Sequence, residues 1–176
     1  LMIAIGVLAV VAASVANLYM EVQKGQIRTA SSFQLSVLAR NFATIVVNQQ
    51  SWTNTVNAAT NAQAMACLKA RTPCTVNGAA NGTPLANISF ALYDGGNNLV
   101  YNPIVATNGF TLSGGPCATY SATGNASCPI RFALKWSAEC APGNCVDPQV
   151  KIEADLQYVS GSVPFPLNPE NYSIPP

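Results

Sequence analysis

The strongest constraint on this chain is its opening run, Leu1 to Met20, LMIAIGVLAVVAASVANLYM. It has no charged residue, and its only strongly polar side chain is Asn17. As a helix it rises about 30 Å, the thickness of a bilayer's hydrocarbon core. A rod apolar on every side needs lipid or other protein around it. The helical pattern also continues. No proline interrupts residues 1–50, and Ile27, Ala30, Leu35, Leu38, Phe42, Ile45 and Val46 recur at helical spacing. The expected rod is roughly 70–75 Å long, apolar all round in its first half and on one side in its second. Lys24, Gln26, Arg28, Ser31, Ser32, Asn41 and Gln49 are expected to lie mostly away from the apolar stripe. Gly6 and Gly25 weaken the rod by about 1 kcal/mol each relative to alanine, although Gly6 also permits close helix approach.

Three uses fit such a run: a cleaved secretory signal, a membrane anchor, or a helix that starts in a membrane and later packs against copies of itself. Its apolar length is high for a signal.

The remaining composition narrows the function classes. A length of 176 residues suits one soluble domain beyond the rod. Only 9% of residues are charged and the net charge is +1, which argues against a nucleic-acid partner. No histidine is present, so the commonest general base and metal ligand is missing. No phosphate-cradling glycine loop precedes a helix. An enzyme and a bound cofactor are therefore not expected. Six cysteines without histidine read as disulfides rather than a zinc site. Joining neighbours is the simplest pairing: Cys67–Cys74, Cys117–Cys128 and Cys140–Cys145. Each closes a short loop and contributes about 2–3 kcal/mol if unstrained.

Beyond the rod, Asn48 to Asn57 is expected to break the helix, with Trp52 anchoring the exit. Ala58 to Ala70 is the best second helix, with Asn57 or Thr60 as cap and Ala62, Met65, Ala66 and Leu68 inward. Thr72-Pro73-Cys74 ends it, and residues 77–84 form a loop. The period then becomes two. Leu85 to Tyr93 reads as a strand, Asp94-Gly95-Gly96-Asn97 as a turn, and Leu99 to Tyr101 as the returning strand. Phe110 to Leu112 is a further short candidate, followed by a loop over residues 113–127. Ile130 to Trp136 and Val150 to Val159 alternate clearly, with a turn-rich loop from Cys140 to Pro148 between them. An antiparallel sheet with one wet face fits, its dry face covered by the helix stripe. The proline-rich tail from Gly161 to Pro176 is expected to be extended and irregular.

Two clusters invite other readings. Glu153 and Asp155 share a strand face with Lys151, which reads as a solvated surface; the alternative is a calcium site with Asp147, since hard cations take clustered carboxylates. Asn81, Asn87, Asn125 and Asn171 stand in N-x-Ser/Thr triplets and read as surface residues.

The run Ala4-Ile5-Gly6-Val7-Leu8-Ala9, the small residues after it, and the first polar turn Glu21-Val22-Gln23-Lys24 resemble the N-terminal helix of type IV pilins and type II secretion pseudopilins. The resemblance covers Leu1 to about Ala30. Members of that family carry an acidic residue early in this helix; here the first acid is Glu21. The resemblance implies an α+β fold, a long N-terminal helix packed on an antiparallel sheet with disulfide-stapled loops. Residues 1–28 would protrude as an apolar helix, and residues 29–176 would form a globular head with the proline-rich tail. It implies a structural subunit of an extracellular type IV pilus-like filament at a bacterial cell surface, reached through the inner membrane. Leu1, Ile3, Ile5, Gly6, Leu8, Val11, Val15 and Leu18 would pack the filament core by self-association. Alternatives are a membrane-anchored adhesin or binding module, or a minor pilin or pseudopilin of a secretion system. Pseudopilins also bring calcium binding into view.

Overall fold

The computed structural model describes the backbone of residues 2–141 and 144–169, and side chains from Tyr19 onward apart from those at 142–144. Helix α1 runs Met2–Val47, 46 residues, or about 69 Å at helical rise. Asn48 ends it with an extended backbone, and the chain starts again as α2, Gln49–Asn57. The expectation of a helix break here is half right. Asn48 interrupts the rod, but its Oδ1 accepts from the Ser51 backbone N–H at 3.0 Å and so caps a new helix. Trp52 then meets Phe90 edge to face, centroids 6.1 Å apart.

The next segment departs from the expected helix over Ala58 to Ala70. A 3-10 turn, Ala59–Asn61, leads through further turns to a short α3, Ala66–Ala70. Met65 and Cys67 are buried, whereas Ala62 and Ala66 are exposed. Buried Asn61 is the cause. Its amide donates to Thr55 O at 2.8 Å and Ala91 O at 2.7 Å, and its carbonyl accepts from Ala91 N–H at 2.8 Å. An asparagine held this way takes the place of a neighbouring strand for Ala91. It also divides the expected strand over Leu85 to Tyr93. Strand β1, Ile88–Ser89, joins the larger sheet, while β2, Leu92–Tyr93, pairs with β3, Leu99–Tyr101, in a separate hairpin. Asp94 sets the hairpin turn. Backbone N–H bonds from Asn98 and Gly96, with the Asn98 amide, hold its carboxyl below the usual carboxylate range.

The larger sheet is antiparallel and centred on β6, Ile130–Ala141. Strand β7, Asn144–Tyr158, lies along one side of it in register from Ile130↔Tyr158 to Glu139↔Gln149. On the other side, β1 pairs with Trp136 and Lys135, and β4, Gly109–Phe110, pairs at Ile130. Strand β5, Pro116–Cys117, adds to β4. Gly109 is required here: a Cβ would collide with Ile130 O and crowd Cys128 Sγ at 3.0 Å. The residues from Cys140 to Pro148 are largely continuations of the two strands around a bulge rather than a loop. Ile130, Phe132, Leu134 and Trp136 are fully buried on the dry face. Phe90 N–H bonds Leu134 O and Ala138 N–H bonds Leu85 O, so even-numbered β6 residues turn their backbone groups away from β7. By register, Val150, Ile152, Ala154 and Leu156 direct theirs to the outer edge of β7. Among the described residues no strand pairs with that edge.

Helix α1 covers the dry face with Ser31, Leu35, Ala39 and Phe42 buried. Phe42 sits among Tyr101, Phe110 and Phe132 with centroids 5.6, 5.9 and 5.3 Å away. The disulfides are Cys67–Cys74, Cys117–Cys128 and Cys140–Cys145. The tail is irregular but not free of the head. Val163 and Leu167 are buried, and Tyr158 Oη donates to Leu167 O at 2.7 Å. Residues 170–176, including Asn171, lie outside the described residues.

Two polar groups in this core yield predictions. Asn61→Leu leaves both Ala91 backbone groups and Thr55 O unpaired, so denaturant unfolding should lose about 3 kcal/mol. Tyr101 is buried, which pushes its phenol up to about 12. An unfolded tyrosine ionises near pH 10. Stability should therefore be flat for this group below pH 10 and fall by about 2–3 kcal/mol as pH rises from about 10 to 12. Tyr101→Phe should remove that part of the alkaline slope in a pH series of unfolding curves.

Candidate functional site

The side chains expected to form a filament core, Leu1, Ile3, Ile5, Gly6, Leu8, Val11, Val15 and Leu18, lie outside the residues whose side chains are described. Among the described residues no helix is long and apolar enough to cross a membrane. The run offered for that, Leu1 to Met20, lies almost entirely outside them. The informative surface is the stretch of α1 from Tyr19 to Val47.

Residues 21–30 are exposed on every side, and the head begins to cover the helix only at Ser31. From there Ser31, Leu35, Ala39, Phe42 and Val46 follow one line along the rod, at about 100° per residue. Ile27 was expected on this stripe but is 48% exposed, because it lies a turn before the head. Ser31 was expected outside it and is buried; a small hydroxyl fits where helix and sheet first approach. Lys24 and Arg28 fall in line with the head-facing stripe rather than away from it. They stay solvated because the head does not reach that far along the rod.

The opposite side of α1 carries a second apolar line. Tyr19, Val22, Ala30 and Phe33 are exposed and cluster within about a quarter of the helix circumference, roughly opposite the buried stripe. Phe33 is 65% exposed beside a fully buried Leu35. Gln23 and Gln26 share this side, and no charged residue occurs on it from Tyr19 to Phe33. Glu21, Lys24 and Arg28 all fall on the head-facing side. The rod is thus apolar on two opposed lines, one of which its own head covers. Ala30 was expected on the head-facing stripe but lies on the exposed line, and periodicity missed Val22 and Phe33, which stand half a turn out of phase with that stripe.

A second uncovered apolar region lies where the rod ends. A crevice of about 230 Å³ is lined by Phe42, Val46 and Val47 of α1 and by Leu134, Val150 and Ile152 of the sheet. Val47 is 81% exposed at its mouth. Here the margin of the dry face extends past the helix.

The carboxylates considered for calcium do not converge. Asp155 lies 3.9 Å from Lys135, and Glu139 lies 3.8 Å from Lys151, while Glu153 stands across the ladder from Lys135. Among the described residues no three side chains of metal-ligating type come together. Asn125 is engaged in its own turn, accepting from Ser127 N–H at 3.0 Å and donating to Thr119 O at 2.7 Å. Asn81 and Asn87 are exposed. No protein-family model, curated protein or solved structure matches the chain.

The two apolar lines should respond differently to truncation. Phe42→Ala should cost about 3–5 kcal/mol in denaturant unfolding, as for a large buried aromatic. Phe33→Ala, opposite it, should change head stability by no more than about 0.5 kcal/mol.

Proposed function

We propose that this chain is the structural subunit of an extracellular filament of the type IV pilus kind, polymerising through α1. The observation that carries this reading is the second apolar line, Tyr19, Val22, Ala30 and Phe33, on a helix whose other side already has its cover. Before assembly the run from Leu1 to about Met20 rests in the inner membrane, and the head lies outside it in an oxidising compartment. The disulfides fit that compartment. On leaving the lipid, the rod must bury its surface again, since exposing apolar area costs about 25 cal/mol per Å². Rods of neighbouring subunits supply the cover. Each subunit presents different surfaces to the copies above and below, a heterologous contact that does not close and so propagates as a helix. The sheet domain forms the outer wall. The head, residues 29–176, carries six basic and six acidic side chains, which lets copies sit side by side without strong repulsion.

The alternative is a membrane-anchored binding module, with α1 as tether. Removing detergent from the intact chain and viewing it by negative-stain electron microscopy separates the two. Fibres several nanometres wide are expected, and Phe33→Asp should abolish them while leaving the head's thermal transition in place. Residues 29–176 alone should remain monomeric by light scattering. Monodisperse particles from the intact chain, or fibres formed equally well by Phe33→Asp, would rule out the filament reading.

A further inference from the structure

Among the described residues the ion pairs are Lys135–Asp155 and Lys151–Glu139. Lys69, Arg71 and Asp147 belong to neither, yet all three line one groove of about 460 Å³ between α2, α3 and the start of β7. That volume is within the roughly 300–1,000 Å³ typical of small-molecule sites. All three are exposed, and together they give the groove a rim with two positive charges and one negative.

The walls are held by covalent and backbone links. The Cys67–Cys74 bond closes the loop that carries Lys69 and Arg71, and Cys140–Cys145 closes the hairpin end before Asp147. Cys74 N–H donates to Cys145 O at 2.9 Å, joining the two walls. Arg71 caps α3 with φ 51 and ψ 44, a left-handed position where glycine is usual. A long cationic side chain there costs about 1–2 kcal/mol of backbone strain, a local disadvantage of the kind that functional sites retain.

The floor supplies a different chemistry. The Trp52 indole is half-buried, its place fixed by Phe90, and it lines the groove beside the buried Val56. Thr53 and Asn57 on the rim add a hydroxyl and a planar amide. Sugars match this combination. The C–H face of a pyranose lies flat on an indole, while its hydroxyls bond amides, hydroxyls and carboxylates. Arg71 adds a planar fork that takes a carboxylate by two parallel bonds, with Lys69 as a second positive charge. A purely apolar ligand would strand all three charges. We propose that this groove binds an acidic saccharide, one bearing a sialic or uronic carboxylate. The inference does not depend on filament assembly.

The test titrates the full chain in detergent micelles with sialyllactose, a hyaluronan tetrasaccharide and, as neutral control, lactose. Trp136 is fully buried and its indole N–H donates to Ala64 O, so a change in tryptophan emission on adding sugar reports Trp52. At least one acidic sugar should bind saturably and at least tenfold more tightly than lactose; which one distinguishes sialic from uronic recognition. Arg71→Gly relieves the left-handed backbone and so keeps the fold, and it should weaken binding at least tenfold without lowering the melting temperature. Calorimetric titration of Trp52→Phe, which retains an aromatic against Phe90, should show weaker but measurable binding. Failure of both acidic sugars to bind, equal affinity for lactose, or unchanged affinity in Arg71→Gly would each overturn the proposal.

Discussion

The seating of Phe42 among Tyr101, Phe110 and Phe132 is the contact on which the rest of the molecule depends. Strand β6 presents Ile130, Phe132, Leu134 and Trp136 on one face, and a face of that size exposed to water would not stay a single sheet. The helix closes it, and Phe42 is where the closure is densest. Aromatic pairs at these distances add about 0.5–1.5 kcal/mol each beyond the area they bury. The same contact fixes how far the rod slides along the head. Sliding by one turn would bring Ala39 or Val46 to the cup in place of the ring. The point along the rod, after Ala30, at which the head begins to cover the helix is therefore set from inside the head.

Around that joint the core is ordered by a few polar groups that have specific partners. Asn61 provides a strand's hydrogen bonds without a strand, and Thr55 bonds Tyr93 in the same manner. Together they let the chain pass from the larger sheet to the hairpin at Phe90–Ala91 without orphaned backbone groups. On the wet face, Arg131 donates to Pro103 O and Ala106 O and lies over the Tyr120 ring, pinning the loop after β3. Each of these groups selects one arrangement over slipped alternatives, which a purely apolar interior does less well.

Much of this was legible in the sequence where one physical signal dominated. Strands β6 and β7 alternate over many residues because one face is wet and the other dry, and the hairpin turn at Asp94 announces itself by its glycines. The segments misread were those where tertiary contacts override local preference. Gln49 to Asn57 is polar and β-branched, yet it is a helix because Asn48 caps it and Ser51, Thr55 and Val56 are buried. Ala58 to Ala70 is rich in good helix formers, yet Asn61 holds its start in another shape. Phe33 and Val22 were invisible to a search for one apolar stripe, since the rod has two. The groove was beyond reach for a plainer reason: Trp52, Arg71 and Asp147 come from three separate segments, and only the fold places them together.

The free side of β7 has a consequence of its own. Among the described residues nothing pairs with the row of backbone amides and carbonyls that Val150, Ile152, Ala154 and Leu156 hold out, the template on which a stray extended chain can add itself. Pro148 offers no N–H at one end of that row, and a close-packed neighbour would have to desolvate the Lys151, Glu153 and Asp155 side chains on the wet face. The head thus carries a latent route to disordered cross-β aggregates. Three ionic side chains and a proline stand against that route.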